Sequence, residues 1–369
     1  MGEKLKMAMV STGIRRDTID PIRHFKKLEI VHFYTSTPYF DLYPGELAGI
    51  VRYKNFFDLC HKMKKYKFDV IQGSEPYGFP STLQACMASS LMLKISNAPM
   101  FFPMLENTPP EMKFGILSPL MKSYLKIYAS RAFVILCLNK GAMKNLLDVG
   151  LDEKKLVHCN WGTWGVDVEE FNPKKSESEP SYDHMILFVG WLNEAKGIPS
   201  LLPAFGIVKK IFPKVKLVII GEGPLRGEIE RFAKTNNLEK DVIILGTVKN
   251  KDLPPYFRAA KITVTPSVTT KKWMEQIGMV NIQSMACGTP VVSTFSGAIP
   301  EYVKHGVTGI LVRERDPVGL ADAIIKLLKD DELRSRMGSS AREHAVKNLD
   351  AKKNVIANEK LIFDLLGYR

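Results

Sequence analysis

The chain of 369 residues has no CxxC pair, and its five cysteines (Cys60, Cys86, Cys137, Cys159 and Cys287) are odd in number and far apart. That excludes a disulfide framework and a zinc ribbon, and reads as reduced, mostly buried thiols in a cytoplasmic protein. No apolar run approaches the roughly 20 residues needed to cross a bilayer. The opening MGEKLKMAMVSTG has too short an apolar stretch before its glycine to act as a signal peptide. The expected location is therefore the cytoplasm, at most peripherally on the inner membrane face. His24, His32 and His61 lack the spacing of metal ligands, and no metal is expected. Low-complexity tracts, zinc fingers and RNA-binding signatures are absent too.

What is there is ordinary for a globular protein, with 45% hydrophobic and 25% charged residues. The net charge of +13 is spread out: residues 1–170 hold 22 Lys and Arg against 17 Asp and Glu, the rest 30 against 22. Such a balance suits acidic ligands or an anionic surface without singling out nucleic acid. Two segments, HKMKKYKF (61–68) and LMKSYLKIYASRAF (120–133), mix lysines with apolar residues. They read as contacts for anionic lipid or, more plainly, as solvated helix faces over a buried stripe.

Short apolar runs alternate with helical patterns along the chain. Strands are expected at 6–12, 29–35, 69–73, 99–105, 132–138 and 155–160, then at 185–190, 215–221, 241–246, 261–266, 289–294 and 308–312. Helical periodicity is expected at 51–67, 114–131, 320–330, 332–347 and 352–366. This alternation predicts α/β architecture: two Rossmann-like parallel-sheet domains facing a central cleft. FNPKKSESEPSYDH (171–184) is polar, holds two prolines and lacks periodicity, so it reads as the linker. The domains are accordingly placed at 1–172 and 173–350, with a terminal helix at 351–369 packing back on the first.

The densest information lies in EQIGMVNIQSMACGTPVV (275–292). Glu275 and Gly278 stand at the start of an amphipathic run that stops at Cys287-Gly288-Thr289-Pro290 before a β-branched strand. A helix N-terminus with an acid and a glycine beside it is a place to hold a sugar phosphate. FVGWLNEAKG (188–197), IIGEGP (219–224), GVDVEEFNP (165–173) and SGAIPEYVKHGVTGILV (296–312) surround it in order. Together these resemble the C-terminal half of the retaining family 4 glycosyltransferases, also called glycosyltransferase group 1, which have the GT-B fold. The resemblance covers roughly 160–330 and fades before 160.

That resemblance implies a metal-independent hexosyltransferase that uses a UDP- or GDP-linked sugar as co-substrate, needs no cofactor, and retains the anomeric configuration. The acceptor would be a glycan, a lipid-linked sugar or a small molecule. Lys196 matches the diphosphate-binding lysine, and Trp191 stands where the family has an arginine. Arg15, Arg16, Lys271 or Lys272 would have to supply the missing cation. Glu275 matches the acid that contacts the donor sugar. The backbone around Ile277, Gly278, Met279 and Val280 would face the distal phosphate, and Gln283 replaces the acid that holds the ribose. An amide still accepts and donates one bond each to a diol, without the extra strength of a carboxylate. Gly221 and Gly223 would lie near the nucleotide and Gly246-Thr247-Val248 near the base. In the first domain, Gly13 follows the first strand where a ligand approaches. Trp191 would stack on a ring or pack in the core. Glu106 would hydrogen-bond the sugar or acceptor hydroxyl, or else be an exposed loop acid. The rival readings are a nucleotide-sugar epimerase and a non-catalytic nucleotide-sugar-binding subunit.

Overall fold

The computed structural model describes residues 4–14, 16–35, 50–78, 80–160, 165–174, 179–180, 182 and 184–367. Arg15 and much of the expected linker lie outside the described residues. The chain divides into two compact units, one of residues 1–165 and 351–369, the other of 166–350. The second begins before the expected 172/173 boundary because Val166 pairs with Asp350, Arg342 Nη1 donates to the carbonyls of Val168 and Phe171, and Phe171 packs on Phe257.

Among the described residues, the first unit holds seven parallel strands: β1 (Leu5–Val10), β2 (Leu28–Tyr34), β3 (Val51–Arg52), β4 (Val70–Gln72), β5 (Met100–Met104), β6 (Val134–Cys137) and β7 (Leu156–His158), in the order β3-β2-β1-β4-β5-β6-β7. Its helices are α1 (Arg16–Ile19), α2 (Phe56–Met63), α3 (Leu83–Ser96), α4 (Pro110–Phe114), α5 (Ser118–Ala129) and α6 (Lys140–Asp148). The stretch at 51–67 is not helical throughout: Val51 pairs with Phe33, and the helix waits for Asn55, whose Oδ1 accepts from Asp58 N at 3.0 Å. The stretch at 114–131 is likewise broken, at Gly115 with φ +54°, and restarts before Pro119.

The second unit holds β8 (Met185–Val189), β9 (Lys216–Ile220), β10 (Val242–Gly246), β11 (Ile262–Thr265), β12 (Val291–Thr294) and β13 (Gly309–Val312), all parallel, in the order β10-β9-β8-β11-β12-β13. Around them lie α7 (Ile198–Ile211), α8 (Arg226–Thr235), α9 (Pro254–Ala259), α10 (Met279–Ala286), α11 (Ile299–Tyr302), α12 (Pro317–Lys329) and α13 (Asp331–Asn348). The strands are continuous apolar runs because helices cover both sheet faces. Phe188, Phe205, Leu217, Val264 and Leu327 fill this core with at most 1% exposure. Strand order reverses between β8 and β11, so the loops leaving these two strands diverge and leave a crevice at their carboxyl ends. Among the described residues, no helix is long and apolar enough to cross a membrane.

The last helix, α14 (Ala351–Leu365), belongs to the first unit. Its Glu359 is buried, and its carboxylate accepts the backbone N–H groups of Lys26, Lys27 and Leu28 at 2.7–3.2 Å. Those donors open β2, so one carboxylate satisfies a turn that would otherwise be buried unpaired. Replacing it by alanine is expected to cost about 3 kcal/mol, read as a fall of several degrees in the melting temperature. Glu359→Gln, which keeps an acceptor, falls less. Equal melting of wild type and Glu359→Ala would show that this carboxylate does not help to hold α14.

Candidate functional site

The crevice at the β8/β11 switch point holds one charged pair of the second unit, Lys196 and Glu275. The loop after β8 carries Lys196, whose backbone N–H donates to Asn193 Oδ1 at 3.0 Å, just before α7 begins. Lys196 Nζ donates to Glu275 Oε2 at 2.7 Å, and Ser267 Oγ donates to the same oxygen at 2.8 Å. The ammonium also lies 4.4 Å from the centre of the Trp273 ring, within cation–π range. Lys196 is 29% exposed at its side chain and Glu275 10%, so the cation is the accessible partner. Glu275 is fastened by its backbone as well: its carbonyl accepts Ala298 N at 2.8 Å, and a Cβ on Gly297 would fall 1.9 Å from that carbonyl oxygen.

Three residues on, Gly278 takes φ +74° and starts α10 with no side chain capping it. The first N–H groups of a helix lack intrahelical partners and carry its positive end. The N–H of Asn281 is turned back to the Gly278 carbonyl at 2.9 Å, which leaves Met279 and Val280, both half-buried, to present theirs. Ile277 is 2% exposed, so its side chain is core and only its backbone faces the crevice. Gln283 lies one turn along α10 and is buried. Small polar side chains fix this helix: Thr265 Oγ1 donates to Asn281 Oδ1, Ser293 Oγ to the Thr265 carbonyl at 2.6 Å, and Ser284 Oγ to the Thr289 carbonyl at 2.9 Å.

The loops after β8 and β9 touch backbone to backbone. Leu192 N donates to the Glu222 carbonyl at 2.8 Å. A Cβ on Gly221 would stand 1.9 Å from Gly190 O, and one on Gly223 2.5 Å from Leu192 O, with φ of +139° and +156°. Close packing therefore explains both glycines before any ligand is invoked. Trp191 projects from this junction at 57% exposure, so the expectation that it could pack in the core is corrected: its neighbours Gly190 and Leu192 are committed to the loop contact and turn it outward. Val248, after β10, is half-buried.

In the first unit, Gly13 follows β1, and its carbonyl accepts Ser11 Oγ at 2.9 Å. Its φ is not positive, so its backbone conformation does not demand a glycine. Ser11 Oγ also lies 2.7 Å from Nε2 of His32, a buried ring whose pKa burial lowers to about 4. Glu106, after β5, is not an exposed loop acid: it is 5% exposed, pairs with Lys113, and accepts Thr108 N at 2.9 Å. Glu75 supports this loop, its Oε1 accepting Leu105 N at 2.9 Å and Glu106 N at 2.6 Å. Asn139 and Asn145 donate to the carbonyls of Leu105 and Glu106. Of the candidate replacement cations, Arg16 faces Asp20 at 3.5 Å, whereas Lys271 and Lys272 are exposed next to Trp273.

The structure thus gathers Lys196, Glu275 and the α10 N-terminus, with Gln283 on the same helix. Sequence reasoning missed Ser267, Trp273, Gly297 and Glu75. Trp273 stands two positions before Glu275, and SGA at 296–298 repeats a strand–glycine pattern, so both had a local signal. Ser267 and Glu75 had none, since their partners are 8 and about 30 residues away.

Residues 169–344 match the family described as Glycosyl transferases group 1. The chain is 33% identical over 193 residues to the N-acetyl-alpha-D-glucosaminyl L-malate synthase of Bacillus anthracis, covering 52% of this chain and 47% of that protein. An uncharacterized glycosyltransferase of Methanocaldococcus jannaschii is 27% identical over 336 residues, 87% of either chain. The Anabaena protein HepE, solved in complex with UDP, superposes with a TM-score of 0.81 at 17% identity, covering 98% of this chain and all of that one. The architecture is thereby the GT-B pair of parallel-sheet α/β domains. Against the malate synthase, the matched part spans about half of the relative's length.

Glu75 supplies a test of the loop that carries Glu106. Burial, with the nearby Glu106 charge adding, pushes its carboxyl up from 4.5 to about 7. A carboxyl with a raised folded-state pKa binds more protons folded than unfolded, so its contribution is present below 4.5 and is lost as pH rises through 7. Glu75→Gln, still an acceptor, is expected to melt progressively above wild type as pH rises from 5 to 8. A constant gap between the two melting curves would sink the assignment.

Proposed function

We propose that the chain, whose residues 169–344 match the Glycosyl transferases group 1 family, moves a sugar from a nucleoside-diphosphate donor to a hydroxyl acceptor, with retained configuration. The observation that carries this reading is the pairing of Lys196 with Glu275 at the switch point, next to an uncapped helix start. The donor departs as a diphosphate, and negative charge grows on its leaving oxygen in the transition state. A fixed ammonium and fixed N–H groups lower that barrier because they need no reorganisation when the charge appears. Lysine has three N–H donors, so Nζ holds Glu275 Oε2 and still points two protons at phosphate. Glu275, oriented by Lys196 and Ser267, receives hydroxyls of the donor sugar. The N–H groups of Met279 and Val280 take the distal phosphate, and Gln283 takes the ribose.

In this reading the fixed cation and the helix start do what a divalent metal does in other transferases, so no metal is required. The first unit would offer the acceptor site, with the loop of Glu106 after β5. The donor is a UDP- or GDP-linked hexose. A second reading, a binder without turnover, is favoured by Trp191 and Gln283, which remove a cation and a carboxylate from the donor site.

Incubation with a panel of labelled UDP-, GDP- and ADP-sugars separates these readings. Transfer or slow donor hydrolysis is expected with one of them, and Lys196→Met or Glu275→Gln should lower kcat about a hundred- to a thousandfold. Residual turnover equal in Glu275→Gln and wild type would refute the assignment, and epimerised donor without acceptor would point to the epimerase. Gln283→Glu restores a charge-assisted bond and is expected to tighten donor binding several-fold. Unchanged or weaker donor binding in a titration would remove Gln283 from the ribose.

A further inference from the structure

Of the sixteen large apolar side chains that stand exposed among the described residues, ten belong to one helical layer of the first unit. The crossovers β3–α2–β4, β4–α3–β5, β5–α4–α5–β6 and β6–α6–β7 all run the same way along the sheet. Right-handed connections therefore place α2, α3, α5 and α6 on one sheet face. Tyr124 and Tyr128 of α5 lie against Cys86 of α3, which confirms that these two helices are neighbours.

On α3 the outward residues Met87, Leu91 and Ile95 recur every four positions, with exposures of 50, 37 and 50%. That spacing makes one apolar stripe pointing to solvent. Just before α5, Ile116 is 96% exposed, and on α5 itself Leu120 is 67% and Ile127 58% exposed. Positions 120 and 127 are two turns apart and share a face. Phe57, on α2, is 80% exposed. Lysines sit among these tips: Lys94 beside Ile95, Lys122 and Lys126 beside Leu120 and Ile127, and Lys62, Lys64, Lys65 and Lys67 at the end of α2. Residues 51–155 hold 15 Lys and Arg against 8 Asp and Glu.

We infer that this helical layer docks on an anionic lipid bilayer, with the apolar tips entering the headgroup region and the lysines on the phosphates. The charge decides between occupants. A protein–protein interface is depleted in lysine at its core, whereas apolar side chains interspersed with lysines suit the anionic membrane surface, where each basic residue adds attraction. The inference rests on this surface alone and stands or falls separately from the transfer reaction.

The test is co-sedimentation of the full chain with phosphatidylcholine vesicles and with vesicles in which roughly a third of the lipid is phosphatidylglycerol. Binding is expected to the anionic vesicles only, and to weaken as salt rises from about 50 to about 300 mM. The double variant Ile116→Ser/Leu120→Ser and the double variant Lys94→Glu/Lys126→Glu should each raise the lipid needed for half-binding at least about tenfold. Both change exposed positions, and unchanged melting temperatures confirm that they fold. The proposal is overturned by equal binding to neutral vesicles, by no binding to either, or by variants that bind as wild type does. It is equally overturned if the chain forms a dimer in size-exclusion chromatography that the Ile116→Ser/Leu120→Ser variant splits, since a second copy then covers the face.

Discussion

Glu275 is the joint on which the candidate donor site depends. Its carboxylate takes a proton each from Lys196, on the loop after β8, and from Ser267, just after β11. Its carbonyl takes the N–H of Ala298, on the loop after β12. Three loops from three strands are thus tied to one residue, and Gly297 has no Cβ because the Glu275 carbonyl occupies that space. A half-buried ion pair of this sort is weak evidence for stability, since desolvating two charges offsets much of their attraction. What the pair does secure is position: it holds an ammonium at the crevice mouth with two donors unspent.

Position is reinforced by contacts that leave no latitude. The Gly190–Leu192 loop lies against Gly221 and Gly223 at distances no side chain would permit. The α10 start is tied to the sheet by Thr265, Ser284 and Ser293, all buried. A site meant to stabilise developing charge gains from such rigidity, because dipoles that do not move need no reorganisation energy. The same argument separates Gly221 and Gly223 from binding roles: loop packing accounts for them whether or not a nucleotide lies near.

Much of this was legible in the sequence, and the reasons differ by element. All twelve expected strands occur, because a strand buried on both faces is a continuous apolar run that composition alone reveals. The missed strand, Val51–Arg52, is an edge strand of two residues, too short for any periodicity to register. Lys196, Glu275 and Gly278 were legible because the loop, helix start and glycine that place them are contiguous in the chain. Ser267 and Glu75 were not, since each acquires its meaning from a partner the fold brings close. Glu106 was misjudged as a possible surface acid for the same reason: Lys113 and the Thr108 N–H are what bury it. Trp191 is outside rather than in the core because the backbone contact around it fixes its direction, which residue type does not encode.

Of the two departures from the glycosyltransferase pattern, Trp191 acts on the positive charge that a diphosphate would meet in the proposed site. With tryptophan at 191, Lys196 is the fixed cation of the β8 loop, and Glu275 neutralises it at 2.7 Å. The pair sums to zero, so a diphosphate bound as proposed would meet the partial charge of the α10 N-terminus, about half an elementary charge, together with whatever share of the ammonium it draws from Glu275. As the leaving oxygen becomes more negative, that share grows, and the ammonium is worth more in the transition state than in the ground state. Interactions of that kind raise turnover without tightening ground-state binding. The exposed Lys271 and Lys272 do not alter this balance at contact, but they add long-range attraction for an anionic donor that salt screens. In the proposed reaction, the altered site therefore trades donor affinity for a charge contrast expressed at the moment the bond breaks.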